Sequence, residues 1–217
     1  MTAGAYGVCL EISGPLAMFA RPDTGAAPTS YPAPTWSAAK GILETIAFFN
    51  DGAAWLHPTR VEICRRRDAQ GGAVSYQRYA TNYGGPLRKA TNIRNGTGMQ
   101  VFATVLANVC YRIHAEARGM RAGGGRNPRH HLQELFERRL KQGRCHRTPA
   151  LGWSEFTCDY WGPPRLDETV VDEELTLDIP SMLGAVWDRE TSGGYVSRFD
   201  QEVRIDAGIL HYKNAEP

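Results

Sequence analysis

The hydrophobic positions near the start of the chain have first the spacing of a strand and then that of a helix. Between residues 6 and 12 apolar and polar side chains alternate, which is typical of a strand with one buried face. From residue 35 onward the apolar positions lie three and four residues apart, which predicts a helix ending near Phe49. Its apolar members are Ala39, Ile42, Leu43, Ile46 and Phe49. We expect this helix to cover one face of a sheet.

The residues before this helix predict where it begins. Pro32 and Pro34 hold the segment extended, because a proline disfavours the helical conformation in the residue before it. Thr35 or Ser37 can then accept a hydrogen bond from a free N–H group of the first helical turn. The sequence therefore predicts an extended arm that leads into a buried helix.

A second helix is predicted from Arg129 to about Lys141. Asn127 can cap it, and Pro128 occupies the first helical position, where the missing N–H group has no partner to lose. Its apolar stripe consists of Leu132, Leu135, Phe136 and Leu140. Basic residues cluster near its end, where they also favour the helix dipole: Arg138, Arg139, Lys141, Arg144 and Arg147.

Most other apolar stretches predict strands. Gly14-Pro15 should end the first strand, since both residues interrupt strands. Further strands are predicted over residues 60–66, 99–107, 108–117, 154–160, 174–179, 182–188 and 196–212. The pattern as a whole predicts an α+β protein with one sheet, two helices, a basic insertion and a β-rich tail.

The basic insertion is residues 67–98, for which the pattern predicts no regular element. It mixes glycines and basic residues with Tyr76, Tyr79 and Tyr83. Cations that follow phosphates and rings that stack on bases suit single-stranded nucleic acid. A surface hairpin whose charge is incidental is the alternative.

Charge is distributed unevenly although the formal net charge is only +2. Residues 58–149 contain eighteen Lys and Arg against five Asp and Glu, whereas residues 150–217 contain five against fourteen. This polarity predicts a face that binds a polyanion and an acidic surface that faces solvent or a partner.

Several classes of protein are not expected. No run of about 18 apolar residues is present, and the N-terminal residues lack a signal-peptide pattern, so we expect a cytoplasmic protein. Five scattered cysteines argue against a disulfide framework and have no zinc-site spacing, so no metal or other cofactor is expected. The glycine patterns of dinucleotide-binding proteins and of α/β-hydrolases are absent.

His130 and His131 are the residues best suited to proton transfer. Histidine titrates near neutral pH and can act as a general acid or base. RNA cleavage without a metal needs a base for the 2′-hydroxyl, an acid for the leaving 5′-oxygen and a cation for the phosphorane. The alternative is that the two histidines only solvate the helix.

Several short motifs, taken in chain order, resemble one protein family. They are Phe19-Ala20-Arg21-Pro22, Ser30-Tyr31, residues 37–44 (SAAKGILE), residues 127–131 (NPRHH), residues 138–143 (RRLKQG) and residues 149–156 (PALGWSEF). They are similar to motifs of the fifth family of CRISPR-associated (Cas) proteins, in subtype d of type I-C Cascade complexes.

The resemblance implies a fold and a division into domains. Residues 1–148 would form a ferredoxin-like domain of the RNA-recognition (RAMP) type, with a β-hairpin thumb at about residues 67–98. Residues 149–217 would form a small, β-rich and acidic C-terminal domain.

The resemblance also implies a function. The protein would be an RNA-binding Cascade subunit in antiviral defence that binds the 5′ handle of CRISPR RNA. Its partners would be the backbone and large subunits and, through the complex, target DNA. The phosphate-contact candidates are Arg65, Arg66, Arg67, Arg78, Arg88, Lys89, Arg94 and Arg129.

The same family implies metal-independent cutting of precursor CRISPR RNA, so the chain is a candidate endoribonuclease. The family's catalytic Tyr (or His) after the first helix falls on Ala47, its Lys falls on His130, and its last His is kept as His131. Two interpretations follow. Either the chemistry is rebuilt with His130, His131 and a nearby Tyr, or the chain is a purely structural Cascade subunit and another protein processes the RNA.

Overall fold

The protein is mostly β-sheet with two helices in the residues that the structure, a computed structural model, describes: 6–83, 99–119, 127–186 and 197–213. The strands are β1 (Gly7–Ala17), β2 (Ala54–Arg66), β3 (Tyr76–Tyr83), β4 (Met99–Gly119), β5 (Tyr160–Gly162), β6 (Thr169–Val171), β7 (Leu177–Ala185), β8 (Arg198–Asp206) and β9 (Ile209–His211). The helices are α1 (Trp36–Ile46) and α2 (Pro128–Lys141). Neither helix has the length and apolar content needed to cross a membrane.

The strands form one antiparallel sheet in the order β5-β1-β4-β2-β9-β8-β7. In addition, β3 pairs with the first part of β4, and β6 pairs with the end of β2. The alternate residues Val8, Leu10 and Ile12 of β1 are buried in one core with the apolar sides of α1 and α2. The predicted strand face is therefore correct, and the helices cover it.

Both helices begin as predicted. The Thr35 hydroxyl accepts a hydrogen bond from the Ala38 N–H at 3.2 Å, and the Asn127 side chain accepts one from the Arg129 N–H at 3.1 Å. The buried sides consist of Trp36, Ala39, Ile42, Leu43 and Ile46 in α1, and of Leu132, Phe136 and Leu140 in α2. Helix α1 ends at Ile46, three residues before the predicted end.

Strand β1 passes through Gly14-Pro15, so the predicted stop at these residues is wrong. A side chain at position 14 would lie 2.5 Å from the Leu151 side chain, so glycine allows a close approach there. Pro15 lies beyond residues 11–13, the part of β1 that pairs with β5. Its missing N–H group therefore leaves no β5 acceptor unsatisfied.

Residues 99–117, predicted as two strands, belong to the single strand β4 of 21 residues. Asn108, at the predicted break, has a φ of 52°, a left-handed conformation that asparagine tolerates. Before this residue β4 pairs with β3, and after it β4 lies between β1 and β2. The irregularity at Asn108 therefore lies where one partner of β4 changes from β3 to β2, while β1 pairs with β4 on both sides of it.

The basic insertion contains a strand that the pattern did not predict. Residues 76–83 form β3, which makes a hairpin with the first part of β4. Residues 84–98 lie outside the described residues. Strand β3 lies within residues 67–98, and its partner β4 begins just after them.

The predicted strands of the last third are partly wrong. Residues 154–159 are not a strand, and β6 was missed. Strand β7 takes in parts of both predicted segments, 174–179 and 182–188, and the described part of the predicted strand 196–212 contains two strands, β8 and β9. The division lies at Ala207-Gly208, where both φ values are positive, 46° and 76°. These values are typical of a tight hairpin turn between two strands.

Candidate active site

Ala47, the residue that ends α1, carries no group that can transfer a proton. Ala47 is fully buried and has extended backbone angles that end the helix. The two residues after it place their rings against histidines: Phe48 lies 4.8 Å from His146 and Phe49 lies 5.2 Å from His131, between ring centroids. The end of α1 therefore lies against the first turn of α2 and against the loop that follows α2.

The first turn of α2 gathers polar groups around Tyr6. The Asn127 Nδ2 donates a hydrogen bond to the Tyr6 hydroxyl oxygen at 2.9 Å. The Arg129 guanidinium lies 5.0 Å from the centre of the Tyr6 ring, and the His130 ring centroid lies 6.4 Å from it. The His130 Nε2 is also 3.2 Å from a carboxylate oxygen of Glu134, one turn further along.

The loop after α2 is tied to the end of α1. The Arg139 Nη1 donates to the carbonyl oxygen of Ile46 at 2.6 Å, and the backbone N–H groups of His146 and Arg147 donate to that of Thr45 at 2.8 and 3.0 Å. Beside this junction a cleft of about 540 Å³ is lined by Arg147 and four hydroxyl-bearing side chains. A guanidinium with several hydroxyl groups can hydrogen-bond to a phosphodiester and a ribose.

The opposite face of the sheet holds buried charges that are paired. Glu11 is fully buried and accepts hydrogen bonds from Arg112 at 3.1 Å, from Arg165 at 2.9 Å and from the Thr169 hydroxyl at 2.9 Å. Burial alone would raise the pKa of Glu11, but these donors outweigh it and the pKa is lowered. Arg165 and Thr169 thereby hold the segment around β6 against the sheet.

A second carboxylate on this face, that of Glu62, is also paired with basic side chains. The Glu62 carboxylate lies 2.8 Å from the His114 Nε2 and 3.2 Å from Arg60. Burial opposes ionisation of Glu62, but His114 and Arg60 lower its pKa to about 2. Burial, and then the nearby Glu62, raise the pKa of the Cys9 thiol to about 12, so this cysteine is not a thiolate at neutral pH.

Three of the predicted phosphate-contact residues lie at the end of β2 and already have partners within the chain. Arg65 lies 4.0 Å from the Asp172 carboxylate, and Arg66 lies 2.8 Å from that of Asp68. Arg67 donates to the carbonyl oxygen of Leu166 at 3.0 Å. The Arg66 side chain is nevertheless 74% exposed, so it remains accessible to a ligand.

The other phosphate-contact candidates lie elsewhere. Arg78 is exposed on β3, with its guanidinium 3.8 Å from the centre of the exposed Phe102 ring. Arg129 lies on the first turn of α2, where both His130 and His131 are exposed. Arg88, Lys89 and Arg94 lie outside the described residues. The structure thus places Arg129 and the two histidines on one helical turn, whereas the other described candidates lie at the end of β2 and on β3.

Two residues of this region were missed as site candidates. Tyr6 was predicted only as a strand residue, and its contact with Asn127 joins positions 121 residues apart. His146, which follows α2, was not predicted as a site residue. Nothing in the local sequence marks either contact, because both depend on how the helices pack.

Comparison with known proteins identifies the family. The family model for CRISPR-associated protein (Cas_Cas5), in its Cas5d form, matches residues 7–209. The chain is 32% identical over 174 residues to "CRISPR pre-crRNA endoribonuclease Cas5d" of Thermus thermophilus, covering 80% of this chain and 70% of that protein. It is also 32% identical over 163 residues to the protein of the same name from Mannheimia succiniciproducens, covering 70% of each.

Solved structures agree at the level of the fold. A crystal structure described as a CRISPR-associated protein superposes with a TM-score of 0.64 at 18% identity, covering 95% of this chain and 91% of that one. The family match spans nearly the whole chain and includes both helices of the candidate site. This chain therefore belongs to the Cas5 family of CRISPR-associated proteins, in its Cas5d form.

Proposed function

We propose that this protein is the RNA-binding Cas5d subunit of a type I Cascade complex and that it cleaves precursor CRISPR RNA. The observation that carries the proposal is the group of Arg129, His130 and His131 on the exposed first turn of α2, beside the end of α1. Two relatives at 32% identity are named pre-crRNA endoribonucleases, which supports the same chemistry here.

The proposed reaction needs no metal. His131 takes the proton from a ribose 2′-hydroxyl, and the 2′-oxygen attacks the adjacent phosphorus. Arg129 and His130 lie on the same turn and donate to the non-bridging oxygens, where negative charge accumulates. The bond from phosphorus to the 5′-oxygen breaks and that oxygen takes up a proton, so this route yields a 2′,3′-cyclic phosphate and a 5′-hydroxyl. No cofactor takes part in the proposed reaction.

Strand order supports a ferredoxin-like (RAMP) domain. The elements β1-α1-β2-β4-α2-β5 follow a β-α-β-β-α-β sequence, and their strands lie in the antiparallel order β5-β1-β4-β2. We propose a division near residue 148. The segment after it completes the ferredoxin-like order by adding β5 beside β1, so the two parts share one sheet, and it adds β9, β8 and β7 beyond β2.

The hairpin of β3 and β4 is proposed as the RNA-binding thumb. Tyr76 and Phe102 are 45% and 43% exposed, and Arg78 stacks on Phe102. Exposed rings next to a cation suit the stacking of unpaired bases. The RNA would be the 5′ handle of CRISPR RNA, and the other partners would be the remaining Cascade subunits and, through them, target DNA.

A purely structural Cascade subunit is the second candidate, and one observation favours it. Ala47 carries only a methyl group where the family has a side chain capable of proton transfer, and that methyl is fully buried. On this alternative the chain binds RNA but another protein cuts it.

Cleavage by the purified protein separates the two candidates. The protein is incubated with RNA of the cognate repeat in EDTA, and the products are mapped. We expect discrete fragments ending in a 2′,3′-cyclic phosphate, and a rate lowered about 10²- to 10⁴-fold by His131→Ala. His211→Ala, which removes an exposed histidine on β9, is the matched control and should leave the rate unchanged. If the wild-type protein binds the RNA but leaves it intact, the structural alternative is correct.

A further inference from the structure

The first turn of α2 contacts the phenol of Tyr6, to which the proposed reaction assigns no role. Ala47, the residue that ends α1, has no hydroxyl group. Tyr6, one residue before β1, brings a hydroxyl to the same turn as the two histidines, through contacts with Asn127, Arg129 and His130. Tyr6 thus lies at the first turn of α2, whereas the carbonyl of Ile46, next to Ala47, is bound by Arg139 near the end of that helix.

The Tyr6 hydroxyl is oriented so that it can give up its proton. The Asn127 amide is fixed because its oxygen accepts from the Arg129 N–H at 3.1 Å, which leaves its nitrogen to donate to the Tyr6 oxygen at 2.9 Å. The phenol oxygen is therefore an acceptor in this contact. Among the described residues its own O–H has no acceptor, and the side chain is only half-buried. An RNA oxygen can therefore accept this proton.

Charge around the ring favours the same role. The Arg129 guanidinium lies 5.0 Å from the ring centre, so a cation is already in place when negative charge develops on the phenol oxygen. The His130 ring belongs to the same group of side chains, with its centroid 6.4 Å from that of Tyr6. A phosphate held by Arg129 and His130 would lie next to the phenol.

We infer that Tyr6 is the general acid of the cleavage reaction, an inference that rests on the proposed function. His131 accepts the 2′-hydroxyl proton while the 2′-oxygen forms its bond to phosphorus. The bond from phosphorus to the 5′-oxygen breaks, and Tyr6 gives its proton to that oxygen. The phenolate that remains beside Arg129 is reprotonated from His131 through water, which returns both groups to their starting states.

The test compares two leaving groups in single-turnover cleavage. Tyr6→Phe is assayed on ordinary repeat RNA and on RNA with sulfur in place of the 5′-oxygen at the mapped cleavage position. Tyr6→Phe should cleave the ordinary RNA about 100-fold or more slowly than wild type. It should cleave the sulfur-containing RNA at close to the wild-type rate, because a thiolate leaves without being protonated. Tyr160→Phe, which removes another half-buried hydroxyl, is the control and should stay within about twofold.

The outcomes separate this inference from the proposed function. If wild type cleaves and Tyr6→Phe cleaves ordinary RNA equally fast, the role of Tyr6 is wrong while the function stands. If Tyr6→Phe loses activity equally on both substrates, with unchanged RNA affinity, Tyr6 acts structurally and the inference is wrong. If wild type cleaves neither substrate, the proposed cleavage and the inference are both overturned.

Discussion

Two groups of histidine and arginine lie on the two sides of the central sheet, and they differ in how their charges are used. On one side, Glu62 lies 2.8 Å from His114 and 3.2 Å from Arg60, and its side chain is only 14% exposed. On the helix side, His130 and His131 are exposed on the first turn of α2. The same residue types thus form an internal ion network in one place and an accessible group in the other.

The difference shows which charged side chains are needed to compensate buried charges within the fold. A buried carboxylate such as Glu11 must be compensated, so Arg112 and Arg165 are committed to it. An exposed histidine contributes little to folding and is available for chemistry. Net charge alone cannot make this distinction, because Arg112 and Arg129 count equally in it.

The largest expected effect comes from breaking the internal network. Arg112→Leu leaves Glu11 buried without one of its two cations, and should lower the free energy of unfolding by about 3–5 kcal/mol. Denaturant unfolding measures this. The control is Arg204→Leu, which removes an exposed arginine 3.5 Å from Asp178 and should have a much smaller effect. Equal losses in the two variants would mean that the network does not stabilise the fold.

The second effect is a pH dependence of the free energy of unfolding, caused by Glu62 on the same side of the sheet. The pKa of Glu62 falls from an ordinary 4.5 to about 2 on folding. A lowered carboxyl pKa stabilises the protein above about pH 4.5, and this stabilisation is lost as the pH falls toward 2. The free energy of unfolding of the wild-type protein should therefore exceed that of Glu62→Gln by roughly 3 kcal/mol at pH 7. The difference should shrink steadily in unfolding measurements between pH 5 and pH 2; a constant difference would contradict the assignment.

A smaller effect is expected on the hairpin. Arg78 has no carboxylate partner among the described contacts and stacks on Phe102, so it is free to meet a phosphate. Arg78→Ala should weaken binding to repeat RNA up to about tenfold and reduce the slope of log affinity against log salt by roughly 0.7. Arg21→Ala is the control, because Arg21 is held 2.7 Å from Asp23. If the two variants have identical salt slopes, Arg78 does not contact a phosphate of the bound RNA.

The sequence predicted the parts of this comparison that depend on local pattern. The buried side of β1 and both helix caps follow from spacing and from the chemistry of Thr35 and Asn127. The unbroken strand β4 could not be predicted, because the irregularity at Asn108 has no strong sequence signal. The contacts of Glu11 with Arg112 and of Tyr6 with Asn127 join residues 101 and 121 positions apart, so only the folded chain shows them.

The accessible His131 and the internal His114 are compared most directly in the variants His131→Ala and His114→Ala. Single-turnover cleavage of repeat RNA in EDTA and the free energy of unfolding are measured for both variants. We expect His131→Ala to lose at least about 100-fold in cleavage rate and to stay within about 0.5 kcal/mol of the wild-type free energy of unfolding. We expect His114→Ala to lose stability but to cleave at the wild-type rate while folded. A His131→Ala protein that cleaves as fast as wild type, or a folded His114→Ala protein that does not cleave, would show that the two histidines do not have these separate roles.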